Sequence, residues 1–270
     1  MLDQLRLASA EASRRKCAKD VGYEHNFFKG DLSKVEDIKR IAQEIHSKAG
    51  KRGIDYLIET QGGPPTGKLR PPASPSSPEG GFAVQCLSRF GLAYLLTSSQ
   101  TIKKGICWVA APASGSSKPL DVGDLDLSQA KARGQFTEGL FGILPQAQRE
   151  SSVLDATAQA LAERNPHLAI THLFPGIVGT DAAQNQGLGW PLVQGFKLFK
   201  LIGIAASPMP GGYSEVPFYL HANTNRGQQY LRKGEANLLG PGLKRYELSP
   251  NVRDAAVRSK VWDKMISYFS

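Results

Sequence analysis

Leu168 to Thr180 reads L-A-I-T-H-L-F-P-G-I-V-G-T, and no other stretch constrains the fold as much. Apolar and β-branched residues from Leu168 to Phe174 predict a short buried strand. Pro175-Gly176 ends it, because proline has no N–H for a ladder and glycine permits a sharp exit. The residues before it predict a helix with Ser152 as cap and Asp155 in its first turn, an apolar stripe at Val153, Leu154, Thr157, Ala160 and Leu161, and a stop at Asn165-Pro166. A helix that delivers a buried strand is half of a βαβ unit, and open α/β sheets bind ligands in the crevice at the carboxyl ends of their strands. Functional residues are therefore expected around Pro175 to Thr180.

The rest of the chain repeats this alternation. Leu2 to Ala12 has helical spacing, so the sequence opens inside a helix, and Tyr23 to Lys29 predicts a strand that ends at Gly30-Asp31-Leu32. Ser33 with Glu36 predicts a capping box, followed by a buried stripe of Val35, Ile38, Ile41, Ala42 and Ile45 and a stop at Gly50. Ile54 to Glu59 predicts a strand and Thr60 to Gly63 a glycine turn; six prolines between Pro64 and Gly81 predict a surface loop. A long helix is expected from Phe82, a strand over Ile106 to Ala111, no clear period from Leu127 to Ser151, a last strand over Gly227 to Leu231, and a closing helix over Ser249 to Phe269 with Val257, Val261, Met265 and Phe269 on one face. The pattern predicts a single α/β domain over residues 1–270, with a mostly parallel sheet between layers of helices.

Several function classes are excluded by composition. The formal charge is +9 over 270 residues, yet the densest basic segment, after Arg226, is interleaved with Glu235, Glu247, Asp254 and Asp263 and reads as a solvated face rather than a nucleic-acid surface. Cys17, Cys86 and Cys107 lack metal-type spacing and point to reduced thiols in the cytoplasm, and no metal site is expected. Lys197, Lys200 and several glycines interrupt the apolar run Leu188 to Ala206, so it is not a membrane span. Gly62 to Leu69 approaches a phosphate-binding loop but fails at Leu69 and at Arg70-Pro71-Pro72, which cannot open a helix. His25, His46, His167, His172 and His221 are scattered, His172 reading as a core residue, and A-S-G-S-S at Ala113 to Ser117 is no nucleophile elbow.

G-D-L-S at Gly30, I-D-Y-L-I-E-T-Q-G at Ile54, V-Q-C-L-S-R-F at Val84 and F-P-G-I-V-G-T at Phe174, in this order, make the sequence resemble the short-chain dehydrogenase/reductase superfamily. The likeness covers roughly Leu2 to Leu231 and is nearest to a divergent branch of fungal secondary metabolism. It implies a three-layer Rossmann-like fold and an NAD(P)-dependent oxidoreductase of a small lipophilic ketone or alcohol. By the same resemblance Asp31 and Leu32 border the adenine, and Gly62 is what remains of an Asn-Asn-Ala-Gly turn. Pro175, Gly176 and Thr180 hold the nicotinamide amide, Trp190 and Phe196 belong to a substrate lid over residues 181–219, and residues 249–270 form the closing helix. A homodimer, or a heterodimer with a related dehydrogenase, is the implied assembly.

Set against that family, the sequence lacks several parts. No G-x-x-x-G-x-G lies upstream of Asp31 and the sequence opens within the helix that follows the family's second strand, so the first βαβ segment and its pyrophosphate cradle are expected to be missing, as in an N-terminally truncated copy; the third strand must then re-pair with the fourth, or the frame is incomplete. The family's tyrosine and lysine fall on Pro145 or Gln146 and on Arg149 or Glu150, its serine on Ala111 and its asparagine on Gln85. Ser114 and Arg149 remain as candidate catalytic groups, and weak cofactor binding is expected. A cofactor-free cyclase or isomerase, and a non-catalytic partner of an intact relative, are the alternative expectations.

Overall fold

The computed structural model describes residues 25–63, 65–174, 176, 220 and 230–270. The chain divides into two units, Met1–Gly30 and Asp31–Ser270. In the first, residues 25–30 form neither strand nor helix and Phe27 is 53% exposed, so the strand expected over Tyr23 to Lys29 is not formed in its described part. A strand needs a ladder, and these residues have none. The helix expected over Leu2 to Ala12 lies outside the described residues.

Among its described residues the second unit is built on four parallel strands in the order β1 (Ile54–Glu59), β2 (Ile102–Val109), β3 (Ala169–Leu173), β4 (Asn237–Leu239). Every residue of β3 is buried, as expected of a central parallel strand covered on both faces. β2 begins at Ile102 rather than Ile106, because the exposed Lys103 and Lys104 hide its start from an apolar reading. Among the described residues the last strand is Asn237–Leu239, where Asn237 Nδ2 donates to Ile170 O (3.0 Å) and to Arg232 O (2.8 Å); of the strand expected over Gly227 to Leu231 only Tyr230 and Leu231 are described, and neither is in a strand. Within the second unit, β1 is the first strand of the sheet order among the described residues.

Helix α1 (Val35–Ala49) buries Val35, Ile38, Ile41 and Ala42 and ends at Gly50, whose φ of +55° suits glycine. Its capping box does not form. Ser33 Oγ turns back to Asp31, Val35 N donates to Ser77 Oγ (3.2 Å), and Glu36 accepts from Ser74 (3.0 Å), so hydroxyls from a distant loop take the place of the local cap. Next come α2 (Gly80–Phe82), a π-helical turn over Ala83–Leu87 and α3 (Ser88–Ser98), which run on as one rod. A short α4 (Ser128–Ala132) precedes α5 (Leu140–Arg164), which starts well before the expected cap at Ser152. Ser152 lies inside it, its Oγ donating to Gln148 O (2.8 Å). The first turns expose Leu140, Phe141 and Leu144 and contain Pro145, so no buried stripe announces them. The closing helix, α6 (Ala255–Ile266), is capped by Asp254 and preceded by a tight turn at Pro250–Val252. Its Trp262 meets Phe90 of α3 edge-on, ring centroids 5.1 Å apart.

Alternation along the strands sends Glu59, Trp108 and His172 to the side of α3 and α5, and Cys107, Leu173 and Leu239 to the opposite side, where they pack with Leu220. The fold is thus α/β, a mostly parallel Rossmann-like sheet flanked by helices. No helix among the described residues is long and apolar enough to cross a membrane.

Candidate active site

Parallel register lines up Glu59, Trp108 and His172 across three strands near their carboxyl ends, with all three side chains buried. Trp108 Nε1 donates to Glu59 Oε2 (2.6 Å), and Gln61 Nε2 to Glu59 Oε1 (3.1 Å). Two donors do not replace the water lost, and burial pushes the Glu59 carboxyl up to about 8, where it is mostly protonated at neutral pH.

The π-helical turn rotates the rod so that Gln85 and Arg89 look toward the ends of β1 and β2, a known use of such insertions. Gln85 Nε2 donates to Gly63 O. The Arg89 guanidinium, 1% exposed, donates to Gln85 O and Oε1, to Gln61 O and to Val109 O (3.0 Å), while its Nε has no hydrogen-bond partner among the described residues. One buried cation therefore ties both strand ends together. Burial lowers its pKa, and the nearby Glu59 acts against that.

From α5, Gln146 and Glu150 face inward one turn apart, whereas Pro145 is exposed and Arg149 half-exposed. Gln146 Oε1 accepts from Gly67 N (3.0 Å). Burial first, then the charge of Glu79, pushes Glu150 up to about 8. Cys86 Sγ lies 3.7 Å from Glu150 O; burial and Glu150 hold this thiol well above its usual value, so it is no nucleophile. Glu79 caps α2, accepting from Gly81 N (2.8 Å) and Phe82 N (2.7 Å), and also accepts from Arg70 N.

The loop between β1 and α2 closes over this set as a strap. Gly67 O accepts from Gly139 N (2.9 Å), Leu69 N donates to Glu138 (3.0 Å), and Glu79 N donates to Asp126 (2.9 Å). Gly67 has φ +72°, and a Cβ there would overlap Gly139 O, so this approach to α5 requires glycine.

A second buried set centres on Asp155. Its carboxylate accepts from Ala113 N (3.0 Å), Ser249 N (3.1 Å) and Ser249 Oγ (2.6 Å), and pairs with His172 Nδ1 (2.9 Å). His172 Nε2 is buried without a hydrogen-bond partner among the described residues. Serine, histidine and aspartate meet here in the wrong order for a hydrolase, since the hydroxyl donates to the carboxylate and not to the imidazole. The set joins α5 to the loop after β2 and to the segment before α6.

The residues singled out in the sequence are scattered. Ser114 is exposed, with its Oγ on Pro112 O (3.2 Å). Arg149 donates to Asp121 O (2.8 Å) and Asp124 O (2.9 Å), which pins the acidic turn to α5. Asp31 spends Oδ1 on Ser33 N (3.0 Å) and Ser33 Oγ, and Leu32 beside it is half-buried. The open side of Gly62 is filled by Gln85, whose Oε1 a Cβ would overlap. Gly176, at φ +89°, has Pro241 as its near neighbour. Pro175, Thr180, Trp190 and Phe196 lie outside the described residues. Among the described residues of the expected cofactor seat, Asp31 is thus engaged by Ser33 and Gly62 is covered by Gln85. Glu59, Arg89 and Asp155 were not expected in a site, yet each is a charge inside an apolar run, and that is the signal that would have found them.

A scan against protein-family models finds no match, and a search of curated proteins finds none either. Among solved structures, a short-chain dehydrogenase/reductase from Saccharomyces cerevisiae is similar at 15% identity and a TM-score of 0.51, over 90% of this chain and 82% of that one. An actinorhodin polyketide ketoreductase variant with NADPH is similar at 14% identity and a TM-score of 0.52, over 87% of this chain and 84% of that one. These likenesses give the fold the short-chain dehydrogenase/reductase type.

Proposed function

We propose that this chain is, by lineage, an oxidoreductase of the short-chain dehydrogenase/reductase type, descended from NAD(P)-dependent enzymes of small lipophilic ketones and alcohols in secondary metabolism, and that its present site has exchanged hydride transfer for proton transfer. The observation that carries the reading is the inward pair on α5. Where the family has a phenol and an ammonium one turn apart, this chain has the Gln146 amide and a Glu150 carboxyl raised to about 8. An amide moves no protons, whereas a carboxyl with that pKa is a general acid suited to neutral pH. With Glu59 it offers two protonated carboxyls around one fixed cation, Arg89, an arrangement that favours enolisation or ring closure of a carbonyl compound without a cofactor. The free, buried thiols of Cys86 and Cys107 support a cytoplasmic setting.

Two measurements test this. Fluorescence titration with NADPH is expected to give a dissociation constant above roughly 1 mM, since among the described residues no glycine-rich turn opens a helix onto a pyrophosphate. Deuterium exchange at the α-carbon of lipophilic ketones, followed by NMR, is expected to run above background with the natural chain and to fall about 100-fold in Glu150→Gln. Micromolar NADPH binding with ketone reduction would return the chain to the ordinary activity of its lineage.

A second reading, a non-catalytic partner forming a homodimer or a heterodimer with a related dehydrogenase, is favoured by Leu140, Phe141 and Leu144, which are 71%, 79% and 63% exposed at the head of α5. Sedimentation of the chain, alone and mixed with an intact relative, tests it: a monomer in both cases removes this reading.

A further inference from the structure

We propose that Ser74 is a phosphorylation site, and that a phosphate there unlatches the strap over residues 65–79 from the start of α1. The inference goes beyond the reaction proposed above and holds whichever chemistry the site performs.

Arg70 to Glu79 reads R-P-P-A-S-P-S-S-P-E, in which Ser74 and Ser77 each precede a proline, the context that proline-directed protein kinases read. The fold distinguishes the two. Ser77 is 7% exposed and its Oγ accepts the Val35 amide of α1. Ser74 is half-exposed and sits among the exposed Pro71, Pro72, Ala73, Pro75 and Ser76, so the strap presents it to a kinase cleft.

The hydroxyls of this segment form the latch. Ser74 Oγ lies 3.0 Å from Glu36 Oε2 and 3.3 Å from Oε1, Ser76 Oγ donates to the same carboxylate, and Ser74 Oγ lies 2.9 Å from Ser77 Oγ. These hydrogen bonds from the serines hold the Glu36 carboxyl below its usual range, as expected of an ion that accepts them. Transfer of the γ-phosphoryl group of ATP would form a bond from Ser74 oxygen to phosphorus, break the β,γ-bridging bond, release ADP and pass the serine proton to the kinase's base. The donor facing Glu36 is then lost, and a near-dianion with only acceptor oxygens stands in its place.

A helix N-terminus attracts phosphate, so the sign must be decided. Here the first turn already carries the two carboxylates Glu36 and Asp37; Lys34 precedes it, and the guanidinium of Arg40 is engaged by Asp37 (3.1 Å) and Glu44 (2.7 Å). Of its amides, Val35 N is taken by Ser77, and Asp37 is itself engaged by Asp31 N (2.7 Å). Repulsion wins, and the strap swings away from α1. Its far end holds Gly67 against Gln146, so the modification acts on the cover of the buried set.

The test treats the purified full chain with a proline-directed kinase and ATP, maps the site by mass spectrometry and follows amide hydrogen exchange. Ser74 is expected to take the phosphate, with no transfer in Ser74→Ala. The amides of Val35 and of Gly67 to Arg70 should then exchange about tenfold faster. In Glu36→Gln, where phosphate no longer meets the carboxylate that Ser74 contacts, the same phosphorylation should speed exchange by less than about threefold. Phosphate only on other residues, transfer only to the denatured chain, or phosphorylated Ser74 with unchanged exchange would each overturn the proposal.

Discussion

Glu59 and Asp155 are both buried on the helix side of the same sheet, at opposite ends of a row that runs through Trp108 and His172, yet they are treated differently. Three donors and an imidazole converge on Asp155, drawn from the loop after β2, from Ser249 and from β3. Glu59 receives one indole and one amide, and its carboxyl rises to about 8. Buried polar groups are normally satisfied, so a fully supplied carboxyl is a joint, and an under-supplied one, kept beside an arginine with an orphaned Nε, is held for another purpose. The fold makes its joint on the Asp155 side and keeps its proton-bearing groups on the Glu59 and Glu150 side.

Breaking the joint should have the largest effect. Asp155→Ala leaves Ala113 N, Ser249 N and Ser249 Oγ without their acceptor, and unsatisfied buried donors cost about 1–3 kcal/mol each, so a loss of about 4 kcal/mol is expected in urea denaturation. Glu59→Ala, assayed alongside, should cost about half as much, because only Trp108 and Gln61 lose a partner. Equal losses would erase the distinction between the two carboxyls.

The strap comes next. Gly67→Ala sets a methyl group against Gly139 O at a φ of +72°, where L residues are strained, and neither backbone can give way cheaply. A loss of about 2 kcal/mol is expected, together with faster exchange at Leu69 and Arg70 and little change around Asp155. A change around Asp155 as large as that in the strap would mean that the two regions respond as one body.

The skeleton of this arrangement was readable and its site was not, for identifiable reasons. Ile54 to Glu59, the stripe of α1 and the core of β3 announce themselves because one periodicity decides their burial. The early turns of α5 do not, since Leu140, Phe141 and Leu144 are apolar yet exposed, and Pro145 argues against a helix that nonetheless passes through it. β4 was missed because three residues are too few to show a period and Asn237 is held by its side chain. Motif order led to Ser114, Arg149 and Asp31, which hold loops. The buried set stayed hidden because Glu59, Arg89 and Glu150 come from separate elements and only tertiary packing takes them out of water.

The smallest effect is a slope. Glu59 and Glu150 titrate near 8 when folded and have an ordinary value of 4.5, so between those limits the folded chain holds protons that the unfolded chain has released. The stability these carboxyls contribute is fully present below pH 4.5 and is lost as pH rises toward 8, by about 1.4 kcal/mol per pH unit for each carboxyl at most. Glu150→Gln keeps the shape, removes one of the two titrations and leaves Gln146 an amide neighbour. Its urea midpoint should match the natural chain near pH 5 and exceed it near pH 8, with the slope between them about halved. If Glu150→Gln leaves the slope intact, the proton-bearing side has been assigned to the wrong carboxyl.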